Sequence, residues 1–298
     1  GFLRPVALIA LSAFGALLAA PAFSGGKAAP PSPPLGLPAA PVPADNPITR
    51  AKVELGRMLF MDRRLSHNNT LSCGMCHVPE QGFTSNELGT AVGLEGRSVR
   101  RNTPTIFNVA YVEQLFHDGR EFSLENQVWG PLLAANEMAN PSIGYVVEKV
   151  RLLPEYQGRF ERAFGGRGPS AQNIGQALAA YQRTVLSGNS RFDRWLYGGR
   201  GDALTAEERA GYRVFTGKGG CAGCHAIGPR HALFTDHGFH NTGIGYANSM
   251  AADRPHAVRL APGVRTEVSD RELASFEPPL PDVGSYAVTL APEATWRY

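Results

Sequence analysis

The sequence predicts a mostly α-helical protein made of two domains of similar plan. The pentapeptide C-x-x-C-H occurs twice, at 73–77 and 221–225, and each copy follows a segment whose apolar residues have helical spacing. Strand signals are few and short, so helices packed on helices are the expected architecture. The length allows two cores of about 120 residues each. We place the domain boundary near residue 190.

The N-terminus predicts an export signal followed by a linker. Arg4 precedes a long apolar run, and Ala20-Pro21-Ala22 supplies the small residues of a cleavage site. Residues 1–24 are therefore expected to be a signal peptide of a periplasmic protein, with an uncleaved membrane anchor as the alternative. Residues 25–46 are dense in proline and alanine and predict an extended tether.

Five periodic segments predict helices after this linker. The stretch ITRAKVELGRMLFMDRRLS leads into the first pentapeptide, and Thr205 with Glu208 three residues later predicts a capping box before the second. Further helical patterns lie at 123–129, 142–164 and 171–186. Residues 78–107 are rich in Gly, Asn, Thr and Pro, which predicts a loop wrapped around something larger than its own side chains.

Composition narrows the functional classes. Charged residues make up 18% of the chain and the formal net charge is +3, which does not favour a nucleic-acid partner. All four cysteines fall inside the two pentapeptides, so none is left for a structural disulfide. The cysteines therefore belong to the function of the two pentapeptides and not to disulfide bonding.

The C-x-x-C-H spacing is typical of covalent haem attachment. The two thiols add across the vinyl groups of a haem, and the adjoining histidine becomes the proximal iron ligand. A zinc site built from both cysteine pairs would leave the histidines without a role, and a thioredoxin-like pair would need one motif in a βαβ setting. The predicted haem c ligands are Cys73, Cys76 and His77 at the first site and Cys221, Cys224 and His225 at the second.

Two haems in one chain are compatible with either an electron-carrying cytochrome or an enzyme. A carrier keeps both irons six-coordinate, whereas an enzyme that cleaves peroxide needs one open iron face with an acid-base group above it. The sequence resembles the bacterial di-haem cytochrome c peroxidase and MauG family from about Pro47 to the last residue. The resemblance is carried by the paired motifs, Arg-Asn-Thr-Pro at 101–104, Asp-Gly-Arg at 118–120, Gly-Pro-Leu at 130–132, Glu-Met at 137–138 and FTDHGFHNTGIG at 234–245.

This resemblance implies two cytochrome c-like haem domains packed against each other. The N-terminal peroxidatic domain would span 47–190, and the C-terminal electron-transfer domain 191–298, which we expect to be truncated. In the family, Glu137 matches the catalytic glutamate, Gln127 the distal glutamine and Pro131 the proline over the open iron face. A carboxylate with a pKa near neutrality suits the proton transfers of peroxide cleavage.

Three further positions refine the comparison with the family. Leu94 stands where members that need reductive activation have a blocking histidine, which favours the MauG-like members. His117 replaces the usual inter-haem tryptophan; Trp129 is the other relay candidate, although a lone tryptophan at helical spacing is more often core. Asn102 matches a calcium ligand of the family and is equally well explained as a turn residue before Thr-Pro.

The implied function is a di-haem peroxidase that reduces hydrogen peroxide at the His77 haem with electrons relayed through the His225 haem. The donor would be a cytochrome c or cupredoxin, or an oxidisable residue on a partner protein as in MauG. A non-enzymatic di-haem electron-transfer module is the alternative. In the relatives, the sixth ligand of the second haem lies beyond a segment like the one ending at Tyr298; Tyr246, Met250 and Tyr286 are stand-ins without the expected motif.

Overall fold

A computed structural model describes residues 32–99, 101–245, 247, 255–261, 263–269 and 282–298. The described part is mostly helical, as the sequence predicts, with many connecting turns. The predicted signal peptide at 1–24 and the candidate ligands Tyr246 and Met250 lie outside these residues. The helices are α1 (Arg50–Met61), α2 (Cys73–Cys76), α3 (Leu124–Gln127), α4 (Trp129–Leu133), α5 (Ile143–Leu152), α6 (Arg159–Ala163), α7 (Ala171–Gln182), α8 (Arg191–Leu196), α9 (Ala206–Thr216) and α10 (Tyr286–Thr289).

The core of the N-terminal domain forms where α1 crosses α7. Gly56 of α1 allows this close approach, because a Cβ there would lie 1.9 Å from the carbonyl oxygen of Ala177. Ile174 and Leu178 of α7 are fully buried with Leu59 of α1. The two helices therefore form a scaffold beside the first pentapeptide.

Several helix boundaries are set by local chemistry. Thr205 and Glu208 form the predicted capping box, with the Glu208 amide 3.2 Å from Thr205 Oγ1 and the Thr205 amide 2.7 Å from Glu208 Oε2. The single helix expected at 142–164 is instead divided into α5 and α6. Pro154 begins a turn of 3₁₀-helix, and Gly158 follows with a positive φ of 71° before α6.

An antiparallel hairpin at 255–269 was not predicted from the sequence. Strands β1 (Pro255–Ala261) and β2 (Val264–Ser269) pair in a region that its polar composition indicates to be a loop. Alternation in AVRLA and VRTEV around a Pro-Gly pair is the signal for it.

The described part of the proline-rich segment, 32–46, packs on the protein, in contrast to the extended tether expected. The Leu35 carbonyl accepts a hydrogen bond from the Asn189 amide at 2.7 Å, and the Gly36 carbonyl accepts one from Ala232 at 3.1 Å. Tyr111 donates its hydroxyl to Pro38 at 2.8 Å. Proline-rich composition lowers the entropy cost of this extended packing, which sequence periodicity cannot show.

Asn46 ends this segment inside a buried polar network. Its side-chain amide donates to Glu125 Oε1 at 2.6 Å and to the Gln176 carbonyl at 3.0 Å, and its oxygen accepts from Lys52 Nζ at 2.9 Å. Arg183 completes the network with a two-bond ion pair to Glu125. The network fixes α3 against α1 and α7.

Replacing Asn46 with alanine is expected to lower the free energy of unfolding by about 1–3 kcal/mol, because Lys52 and Glu125 lose a buried partner. Urea unfolding followed by far-ultraviolet circular dichroism measures the change. Asn126→Ala, at an exposed position of α3 next to Glu125, is the control and should have little effect. Equal stability of the two variants would show that the network contributes nothing.

The C-terminal segment is joined to the N-terminal domain through Arg101. Its guanidinium donates to Asp282 Oδ1 at 2.6 Å and to Asp118 Oδ2 at 2.8 Å, and it lies over the Tyr298 ring. An ion pair and a cation–π contact therefore join the first and second halves of the chain. Among the residues that the structure describes, none of the helices is long and apolar enough to cross a membrane.

Candidate haem sites

The first pentapeptide forms the short helix α2 and ends at His77. The His77 amide donates to the Cys73 carbonyl at 2.8 Å, and the His77 Nδ1 donates to the carbonyl of Phe83 at 3.1 Å. This bond leaves Nε2 as the nitrogen that can bind a metal. Burial lowers the pKa of His77, so the imidazole is held in the neutral form that ligation requires.

The second pentapeptide repeats this geometry. The His225 amide donates to the Cys221 carbonyl at 2.9 Å, and the His225 Nδ1 donates to the Phe234 carbonyl at 3.0 Å. Phe83 and Phe234 have the same positive φ of 55°. Both carbonyls are therefore turned by the same uncommon backbone conformation towards the histidine that they orient.

A second pair of phenylalanines marks the two sites as copies of one plan. Phe60 of α1 lies 6.1 Å from the His77 ring, and Phe215 of α9 lies 6.0 Å from the His225 ring, both centroid to centroid. Our sequence reasoning missed these four phenylalanines. The signal was present as a Phe-Thr pair after each motif, at 83–84 and 234–235, and a Phe near the end of each preceding helix.

The cysteines of both motifs are free thiols in the structure. Burial raises the pKa of Cys73 to about 12, and it raises that of Cys76 as well, with Glu137 as a further contributor at both. The carboxyl group of Glu137 is thus close enough to the first motif to influence both thiols. The catalytic role of Glu137 at this site stays a prediction.

Glu137 lies half-buried in the turn that follows α4. Its amide donates to the Ala134 carbonyl at 2.9 Å, and the amide of Met138 donates to Pro131 at 3.1 Å, so the turn is closed onto α4. Burial raises the pKa of Glu137, and the nearby positive charge of Arg120 opposes this effect. Arg120 is itself held by Asp118 at 2.8 Å and by the ring of Phe116, 3.5 Å from its guanidinium carbon.

Leu94 lies beside Glu137. The Leu94 amide donates to the Glu137 carbonyl at 2.9 Å, and the Leu94 side chain is 4% exposed. Gly93 permits the approach, since a Cβ there would lie 1.9 Å from the Asn136 carbonyl oxygen. Leu94, whose match to the blocking histidine of some family members stays a prediction, is therefore next to the candidate catalytic acid.

Gln127 and Pro131 lie on the same chain segment as Glu137, at the end of α3 and inside α4, and both are half-buried. Their predicted roles at the open iron face stay predictions. Trp129, between them, packs against the core of the N-terminal domain. Its Nε1 would lie 3.6 Å from a Cβ atom added at Gly175. This environment fits the core-packing interpretation, and a relay role for Trp129 stays a prediction.

His117 and Asn102, the candidates for a relay and for a calcium site, contact each other. The His117 Nε2 donates to the Asn102 carbonyl at 3.1 Å. The Asn102 side chain donates to the Ser85 carbonyl at 2.9 Å, and its oxygen accepts from the Thr103 amide at 2.8 Å. These are the local bonds of a turn residue, and both assignments stay predictions.

Residues 50–201 match the family model for di-haem cytochrome c peroxidase, CCP_MauG. The chain belongs to the di-haem cytochrome c peroxidase family. It is 41% identical over 211 residues to the methylamine utilization protein MauG of Methylorubrum extorquens, which covers 70% of this chain and 58% of that protein. It is 40% identical over 258 residues to the cytochrome-c peroxidase IdrP1 of Denitromonas iodatirespirans, covering 85% and 65%.

Solved structures agree with this membership. A MauG-like protein associated with microbial copper homeostasis superposes with a TM-score of 0.71 at 29% identity, covering 91% of this chain and 73% of that one. The di-haem peroxidase BthA from Burkholderia thailandensis gives 0.59 at 26% identity, covering 68% and 59%. The chain spans less than two thirds of the length of MauG and IdrP1, at 58% and 65%.

Membership in the di-haem peroxidase family implies two covalently bound haem c groups, and the residues present fit them. Each motif offers two free thiols for thioether bonds. Each also offers a histidine whose Nδ1 is occupied by a backbone carbonyl, which leaves Nε2 for iron.

The second site has a further hydrogen bond, in which His240 Nε2 donates to Asp236 Oδ2 at 2.9 Å. Tyr286, a stand-in for the sixth ligand, begins α10.

Proposed function

We propose that this protein is a periplasmic di-haem peroxidase that reduces hydrogen peroxide at the N-terminal haem and draws electrons through the C-terminal haem. The observation that carries the proposal is the position of Glu137. This carboxyl group lies near Cys73 and Cys76, has a pKa raised by burial, and has the non-ligating Leu94 beside it. The peroxidase activity named for several relatives supports the same assignment.

Glu137 supplies the acid-base chemistry that peroxide reduction needs. A bound haem c supplies an iron that accepts peroxide and exchanges electrons. Glu137 would take a proton from one oxygen of hydrogen peroxide and return it to the other oxygen, which would then leave as water. Because burial raises its pKa, the Glu137 carboxylate is a stronger base than an exposed glutamate, which favours the first of these proton transfers.

Gln127 and Pro131 complete the proposed peroxide site. Gln127 is the last residue of α3, which Ser123 caps, and its side-chain amide can donate a hydrogen bond to peroxide. Pro131 has no amide hydrogen and restricts the space over the open face. The buried ion pair of Glu125 with Arg183 holds the helix that leads to both residues.

The identity of Leu94 supports a MauG-like variant of this function. Leucine has no atom that can bind iron, so the peroxide site needs no prior reduction to remove a ligand. A donor in such a protein is either a small redox protein or a tryptophan or tyrosine on a partner.

Peroxide turnover tests the proposal directly. The haem-loaded protein is mixed with hydrogen peroxide and a reduced cytochrome c, and donor oxidation is followed by absorbance. The expected result is catalytic oxidation with two electrons taken per peroxide. A non-enzymatic electron-transfer module would exchange electrons with the donor but leave peroxide unconsumed, and that outcome would reject the proposal.

The reaction with peroxide is expected to become faster with rising pH as Glu137 ionises, because only the carboxylate can take up the first proton. Burial raises the pKa of Glu137, and the positive charge of Arg120 lowers it. Arg120→Ala should therefore shift the rise in reaction rate to higher pH. Stopped-flow rates over a pH series measure the shift. Arg120→Lys keeps the charge and is the control. If the rate of the alanine variant rises at the same pH as that of the wild type, the electrostatic explanation is contradicted.

A further inference from the structure

Helices α8 and α9 carry an aromatic cluster that the proposed mechanism does not use. Trp195 of α8 and Tyr212 of α9 lie edge to face with ring centroids 5.0 Å apart. Phe192 joins them, with its ring 6.2 Å from Trp195 and 5.9 Å from Tyr212. Both Trp195 and Tyr212 are half-buried, so each is packed and also reaches the surface.

The cluster is continuous with the second haem motif. Phe192 lies 5.1 Å from the ring of Phe234, and the carbonyl of Phe234 accepts the hydrogen bond from His225. A second route follows α9, because Phe215 lies three residues after Tyr212 on the same helix and 6.0 Å from the His225 ring. From Trp195 to His225, each step is a ring contact or a hydrogen bond.

The residue types in this cluster are not explained by packing alone. Phenylalanine fills the positions next to His225, whereas the outer positions have the indole ring of Trp195 and the phenol rings of Tyr212 and Tyr197, which lose an electron far more readily than benzene rings. Tyr197 differs from the other two because its hydroxyl donates to the Gly228 carbonyl at 3.0 Å.

Arg194 and Arg213, the chain neighbours of Trp195 and Tyr212, are exposed, and neither forms an ion pair with any residue that the structure describes. Each of these two oxidisable rings therefore has an exposed cationic chain neighbour, whereas Glu208, one turn before Tyr212, is paired with Arg191.

We propose that Trp195 and Tyr212 form a relay through which an acidic redox protein delivers electrons to the C-terminal haem. This inference rests on the proposed peroxidase function. Hydrogen peroxide takes up two electrons and two protons and becomes two molecules of water. Each electron leaves the reduced donor and refills the ring of Trp195 or Tyr212 that has just been oxidised; Tyr212 releases its phenolic proton on oxidation and regains one on reduction.

Conservative variants separate this relay from a packing role. Trp195→Phe, Tyr212→Phe and the double variant keep the ring contacts but remove the oxidisable groups. With a reduced acidic cupredoxin as donor, the double variant should oxidise the donor about tenfold more slowly, which corresponds to about 1.4 kcal/mol of added barrier. Higher ionic strength should slow the wild type, because Arg194 and Arg213 attract the donor. Tyr145→Phe, on the exposed side of α5, is the control.

A second readout does not depend on turnover. When peroxide is added without donor, oxidised tryptophan and tyrosine should be found by peptide mass spectrometry at positions 195 and 212 in the wild type and not at Tyr145. Donor oxidation at the wild-type rate in the double variant, or oxidation confined to other positions, overturns the relay. A wild type that does not react with peroxide overturns the proposed function and the relay with it, whereas a reactive double variant with slow donor oxidation supports both.

Discussion

Glu137→Gln is expected to slow the reaction with peroxide by about 10²–10⁴-fold, the usual contribution of a positioned acid-base group. Glutamine keeps the size of the side chain but can neither take up nor return a proton. Stopped-flow absorbance after mixing the ferric, haem-loaded protein with peroxide measures the rate. A variant that reacts at the wild-type rate would remove Glu137 from the mechanism.

The thermal stability of Glu137→Gln distinguishes a loss of acid-base catalysis from a loss of folded structure. Burial raises the pKa of Glu137 above its unfolded value, so the folded protein binds more protons, and stability from this group is lost as pH rises through the folded pKa. Glutamine has no such ionisation cost. The variant should therefore unfold at the same or a slightly higher temperature at neutral pH, with both haems still attached through their cysteines.

Leu94→His is expected to abolish the reaction of the ferric protein with peroxide until it is reduced. Leu94 is buried, and its amide is bonded to the Glu137 carbonyl at 2.9 Å, so an imidazole there is introduced next to the proposed open face. Histidine is a strong ligand for haem iron and would compete with peroxide for the sixth position. The absorption spectrum should change from high-spin to low-spin.

Leu94→Ile is the matched control for this substitution. Isoleucine has the same volume and no ligating atom, and such apolar exchanges cost less than about 1.5 kcal/mol. The isoleucine variant should keep its reactivity with peroxide. If Leu94→His also reacts without prior reduction, the segment of Leu94 does not reach the iron, and the MauG-like assignment loses its main support.

The sequence predicted the parts of this protein that short-range chemistry determines. The two C-x-x-C-H motifs, the capping box of Thr205 and the helical spacing of α1 depend on residues within a few positions of one another. Membership in the di-haem peroxidase family, predicted from motifs such as Asp118-Gly119-Arg120, is confirmed. The roles of Gln127, Pro131, His117, Trp129 and Asn102 stay predictions.

The other structural features depend on backbone contacts that the sequence pattern does not indicate. The carbonyls of Phe83 and Phe234 accept hydrogen bonds from His77 and His225, and the two loops between these partners differ in length, so no fixed spacing indicates the contacts. The packing of 32–46 uses backbone carbonyls of Leu35 and Gly36, which carry no side-chain signal. The break between α5 and α6 was foreseeable from Pro154, because proline ends a helix that periodicity alone extends.

We propose that the N-terminal iron keeps an open face under Glu137, with His77 as its protein ligand, and low-temperature electron paramagnetic resonance of the ferric, haem-loaded protein can decide this. We expect a high-spin ferric signal that is absent from His77→Ala, retained in Glu137→Gln and lost in Leu94→His. Low-spin signals from both irons in the wild type would mean that a side chain already fills the sixth position, and the protein would then be an electron carrier.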